Sequence, residues 1–181
     1  MAPVREQARG AGYDAWPPTG PGDVWKTSIY SYEFPLVAAQ SYIYAYELTG
    51  GADGKGDATL LAAARRWGEV IEKNLPPKAG RRWKKELEEA MPEWRKTGGS
   101  YAEDYGRTIS FFVHLSYATK DEHYLNVAKA VAREAIDKLY ANGLFKGHPA
   151  KPYYEATNGV GILLHALMEL DAWPQRWQNA F

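Results

Sequence analysis

At 181 residues the chain has room for one domain with a sizeable core. Its 22 basic and 22 acidic residues cancel, so no global field draws it to nucleic acid or to an acidic membrane surface. Cysteine is absent, which excludes disulfides and thiol chemistry, and no apolar run approaches the roughly 18–20 residues that span a bilayer. The start, Met1-Ala2-Pro3-Val4-Arg5-Glu6-Gln7, has no apolar h-region, so no signal peptide is expected in this chain. The compartment stays unassigned, and a secreted or periplasmic parent protein fits equally. Aromatic content is high, with 13 Tyr and 7 Trp, rings that bury large area while keeping a polar edge.

Residues 1–23 are dense in glycine and proline (Gly10, Gly12, Pro17, Pro18, Gly20, Pro21, Gly22) and read as an irregular arm. The rest, 24–181, reads as one all-α domain of about three helical hairpins. The first helix is expected over Phe34–Leu48, with Pro35 in the first turn and apolar residues on nearly every face, hence buried all round. Thr49-Gly50-Gly51 ends it. The second helix, Asp57–Leu75, carries one apolar stripe (Leu60, Leu61, Ala64, Trp67, Val70, Ile71), is capped by Asp57 and is stopped by Pro76-Pro77. The charged stretch 78–99 predicts a short helix around Arg82–Ala90, a solvated face in which acids and bases interleave.

A third helix, again apolar on most sides, is expected from about Asp104 to Ala118. A fourth, amphipathic, follows over Glu122–Tyr140, with Asn142-Gly143 as its C-terminal turn. A fifth, apolar, is expected over Glu155–Leu170. Leu60, Ala63, Ile71 and Lys73 stand 65 residues before Leu125, Ala128, Ile136 and Lys138. The unit is thus a buried helix, a turn and an amphipathic helix, which needs neighbours stacked beside it.

Each buried helix is entered through tyrosine and carboxylate: Tyr30-Ser31-Tyr32-Glu33, Tyr101-Ala102-Glu103-Asp104-Tyr105-Gly106-Arg107, and Tyr153-Tyr154-Glu155-Ala156-Thr157-Asn158-Gly159-Val160-Gly161. The three entrances are expected to converge on one site. With the hairpin repeat, the last of these stretches resembles the α/α toroid carbohydrate-active enzymes, the six-hairpin glycosidase-like and polysaccharide lyase folds, over about residues 25–172. The resemblance implies a partial toroid. A complete one has about twelve helices, at roughly 11–12 residues each plus loops, more than this length holds. The expectation is therefore a C-terminal half whose missing N-terminal half, or a second copy, completes it; a compact hairpin array folding alone or as a dimer is the alternative.

The resemblance implies an oligo- or polysaccharide substrate, with no cofactor. The leading expectation is a polysaccharide lyase acting on a uronate-containing glycan. Such β-elimination needs a cation on the substrate carboxylate, a base for the acidified proton and an acid for the leaving oxygen. The expected catalytic residues are Tyr105, Arg107, Tyr154, Glu155, His148 and Lys151, with Arg107 on the carboxylate and lowering the Tyr105 pKa. Tyr32, Glu33, Glu103, Asp104, Tyr153, Asn158 and Trp25 are expected to bind substrate.

The enzymatic alternative is a glycoside hydrolase using Glu155 with Glu103 or Asp104, a pair about 5–5.5 Å apart for retention or about 6.5–9.5 Å for inversion. Acids in a first helical turn are also favoured by the helix dipole alone. The other alternative is a non-catalytic hairpin repeat that binds glycan or protein through rings such as Trp16, Trp25, Trp94 and Tyr153. No histidine pair has metal-site spacing, so no metal is expected; His114 and His165 read as core or wall histidines.

Overall fold

The computed structural model describes residues 33–73, 75, 99–149 and 159–173. The arm, the helix expected at Arg82–Ala90, all of Lys151–Asn158, Tyr32 and the tryptophans Trp16, Trp25 and Trp94 lie outside them. Within the described residues the protein is all-α save for one small hairpin: α1 Glu33–Leu48, α2 Ala58–Glu72, α3 Ala102–Thr119, α4 Glu122–Leu139, β1 Tyr140–Ala141, β2 Leu144–Phe145 and α5 Val160–Asp171.

Local chemistry sets each boundary. The α1 chain turns off at Gly50, which takes φ 99° while its amide donates to the Glu47 carbonyl. The α1–α2 corner then closes around one ring. A Cβ on Gly51 would lie 2.4 Å from Tyr46 Cε1, and one on Gly56 would lie 2.5 Å from Tyr46 Cε2, so only glycine fits on either side. Asp57 caps α2 by accepting from the Thr59 amide at 2.7 Å, as its position predicts, and Asp121 does the same for α4 through the His123 amide at 2.9 Å.

Asn142-Gly143 does not end α4, which stops at Leu139 with Tyr140 as its extended cap. With φ 54° and 84° the pair makes the tight turn of a two-stranded ribbon, Tyr140 opposite Phe145 and Ala141 opposite Leu144. Those positive angles are what a type I′ turn requires, so the hairpin was written in the sequence as Asn-Gly.

Helix α3 is the hub and touches every other described α-helix. Adjacent Phe111 and Phe112 are both fully buried, edge to face at 5.1 Å, which a helix allows only when neighbours cover it on two sides. The expectation of three fully buried helices therefore holds for α3 alone. On α1, Leu36, Ala39, Ile43 and Tyr46 are buried while Val37, Tyr42 and Leu48 are exposed; on α5, Leu163 and Ala166 are buried while Ile162, Leu164 and Met168 are exposed. Among the described elements, α1 packs on α2 and α3, and α5 on α3 and, lightly, on α4.

The outer helices alternate with this row, α2 packing on α1 and α3, α4 on α3 and α5. Their repeat is one of faces rather than of identities. Buried Ala64, Gly68 and Ile71 correspond to buried Ala128, Ala132 and Ala135, a spacing of 64, whereas the 65-residue spacing would pair buried Ile71 with exposed Ile136.

The α3–α5 seam is unusually close. A Cβ on Gly106 would sit 2.6 Å from the Leu163 nitrogen and 2.7 Å from the Ile162 carbonyl carbon, and one on Gly159 would sit 2.3 Å from Glu103 Cβ. Gly159 takes φ 77°, so no helix runs through it, and α5 starts at Val160 rather than at Glu155.

Candidate active site

Where α1, α3 and α5 meet, a cleft of about 290 Å³ opens, lined by Gln40, Tyr44, Arg107, Ser110, Gly161, Ile162 and His165. A continuous polar chain crosses its floor from α3 to α1 and back. Arg107 donates from Nε to Glu103 Oε1 at 2.8 Å and from Nη1 to Gln40 Oε1 at 3.0 Å. Gln40 Nε2 donates to the Tyr44 hydroxyl at 3.1 Å, and that hydroxyl meets Ser110 Oγ at 3.1 Å. Arg107 keeps 26% of its side chain exposed, so its guanidinium is braced yet reachable. Burial, and beyond it the Glu169 and Glu47 charges, raise the Tyr44 pKa and keep its phenol protonated, although the Ser110 and Gln40 bonds pull the other way.

Behind the cleft lies a buried ion cluster. His114 on α3 stands between Glu47 of α1, at 2.7 Å from Nδ1, and Glu169 of α5, at 3.3 Å from Nε2, and the Tyr44 ring meets it edge-on at 5.0 Å. Burial alone would favour the neutral imidazole; hydrogen bonds and charge from Glu169 and Glu47 outweigh it and raise the His114 pKa to about 9. Glu169 is held below its ordinary range, its own burial being offset by the His114 bond and charge, the Ser110 hydroxyl and the His165 charge. Glu169 Oε1 also faces His165 Nδ1 at 3.4 Å, one turn back on α5, and His165 leaves 66% of its side chain open at the cleft.

Of the expected site residues, Arg107 lines this cleft and Glu103 is tied to it through Arg107. Tyr105 does not reach it. Its ring is fully buried and its hydroxyl donates to Glu134 Oε1 of α4 at 2.9 Å. The expected lowering of its pKa by Arg107 is reversed. Burial comes first and the Glu134 charge second, and together they raise it strongly. The reason is helical geometry: residues two apart on a helix face nearly opposite sides. Asp104 is buried and accepts from Ser100 Oγ, and His148 is buried with its ring 4.7 Å from that of Tyr101.

Glu33 opens α1 by its backbone. Trp25, Tyr32, Lys151, Tyr153, Tyr154, Glu155 and Asn158 lie outside the described residues, so of the three expected entrances the cleft is lined by Arg107 of the α3 entrance and Gly161 of the α5 entrance.

Gln40, Tyr44, Glu47, Ser110 and Glu169 went unread in the sequence. The available signal was a polar residue interrupting an otherwise apolar helix, most clearly Glu169 four residues after His165. Among the described residues no group of three or more His, Asp or Glu is arranged to hold a metal ion. No protein family, no curated protein and no solved structure matches the chain.

Proposed function

We propose that the chain is an α/α-toroid type domain of a carbohydrate-active enzyme, and that its cleft binds a uronate-containing glycan for β-elimination. The alternation of a contacting inner row, α1, α3 and α5, with outer helices α2 and α4 supports the architecture. One observation carries the chemistry: a reachable guanidinium, Arg107, and a phenol kept protonated, Tyr44, line the same opening and are linked through Gln40. A guanidinium matches a planar carboxylate in a way no single ammonium does, and neutralising that carboxylate acidifies the adjacent C–H. A protonated phenol within the same cleft suits transfer to the leaving oxygen.

The described acids lend less to hydrolysis. Glu103 is paired to Arg107, and Glu47 and Glu169 share His114, so none of them stands as one of two opposed working carboxylates.

The test is incubation with polygalacturonate, alginate and a glycosaminoglycan, following both ultraviolet-absorbing unsaturated ends and reducing ends. Unsaturated product that disappears in Arg107→Ala supports the proposal. Reducing ends without unsaturation would mean hydrolysis, and glycan binding without either a binding module. Arg107→Ala with undiminished turnover would remove Arg107 from its role.

A further inference from the structure

The reading above leaves the base unassigned, because Tyr105 is locked on Glu134 in the core. We infer that His165 is that base, with Glu169 as the positioning residue that orients its imidazole; this rests on the cleft being a β-eliminating site.

The argument is geometric. His165 and Glu169 are four apart on α5 and so share a face. Glu169 Oε1 lies 3.4 Å from Nδ1, an ion-pair contact beside a half-open ring that lines the cleft. A carboxylate beside one ring nitrogen of an imidazole that opens onto a cleft is the pairing from which a base and its positioning residue are built. Glu169 is itself anchored from behind by buried His114, which in turn holds Glu47 of α1, so the orienting carboxylate cannot swing away. A chain His165–Glu169–His114–Glu47 thus runs from the cleft mouth into the core. The other groups facing His165 in the cleft are Arg107 and Ser110 of α3 and Tyr44 of α1.

In the step itself, His165 Nε2 takes the proton from the carbon bearing the uronate carboxylate. That C–H pair becomes the new C=C bond as the C–O bond to the departing sugar breaks. The leaving oxygen takes the Tyr44 proton, and water then returns one proton to Tyr44 and removes one from His165.

Two measurements on the full chain test this. In His165→Gln, an exposed change that spares the core, oligouronate affinity by calorimetry is expected to stay within about threefold while the elimination rate falls on the order of a hundred- to ten-thousand-fold. Nitrogen NMR of the wild-type protein should find neutral His165 protonated at Nδ1, the tautomer a carboxylate there selects, and Glu169→Gln should abolish that preference. A His165→Gln protein that eliminates at the wild-type rate overturns the base and leaves the lyase reading standing. A wild-type protein that cleaves no uronan overturns the lyase reading and the base with it. His165 protonated at Nε2 overturns the orienting role of Glu169, whether or not Glu169→Gln folds.

Discussion

His114 of α3 and Glu47 of α1 meet at 2.7 Å with only 6% and 11% of their side chains exposed, so the two helices are joined by a charge pair inside the core. Glu169 closes the far side of the same imidazole. Removing one member of a buried pair strands the others, so His114→Ala is expected to destabilise by about 3–5 kcal/mol. Denaturant titration checks this, and a loss under about 1 kcal/mol would mean that water already screens the cluster.

The same cluster dictates how stability varies with pH. His114 is raised from its ordinary 6.5 to about 9, so its contribution is whole below 6.5 and is lost as pH climbs through about 9. Glu169 is shifted the other way, so its contribution is present above its ordinary 4.5 and is lost as pH falls below that. Melting temperature should therefore be highest between about 4.5 and 6.5 as far as this cluster is concerned, and His114→Ala should flatten the alkaline decline. An unchanged alkaline limb in that variant would assign the decline to other groups.

Gly106→Ala tests the α3–α5 seam. The atoms a methyl would meet are the Leu163 nitrogen and the Ile162 carbonyl carbon, backbone that cannot rotate aside. The expected cost is at least the 1–3 kcal/mol of ordinary overpacking, roughly, with α5 the first element to loosen. Hydrogen exchange that leaves α5 as protected as in the parent would contradict this.

Tyr105→Phe separates a structural tyrosine from a chemical one. It keeps the buried ring and removes the hydroxyl's bonds to half-buried Glu134 and to the Ser100 backbone, at an expected cost of about 1–3 kcal/mol. Turnover on a uronan should survive. Loss of turnover in a protein of near-normal stability would return Tyr105 to the catalytic set.

Much of the fold was legible because helices announce themselves by period and punctuation. Asp57 and Asp121 as caps, and Thr49-Gly50 as a stop, are local devices whose chemistry acts within a few residues. The Asn142-Gly143 hairpin was legible too, but the preceding helix hid it, since the same dipeptide is also a common helix stop, although here α4 ends before it at Leu139. The site was harder. Tyr105 and Arg107 look like partners in sequence and face apart in space, while Gln40 and Arg107, 67 positions apart, touch. Which polar residue of an apolar helix faces which neighbour is decided by helix packing. Here Gly106 and Gly159 set that packing, by letting α5 approach α3 closely enough for Glu169 to reach His114.

Those two glycines also decide which wall of the cleft can give way. At Gly106 and Gly159 the chain of α5 lies directly against α3, an approach that any added side chain would block. Between α1 and α3 the ties at the cleft mouth are Arg107–Gln40 and Tyr44–Ser110, part-exposed side-chain bonds, with the buried His114–Glu47 pair behind them. On the proposed function, a long glycan needing more room would find it first on the α1 side of the cleft mouth, where side-chain bonds rather than glycine contacts form the wall.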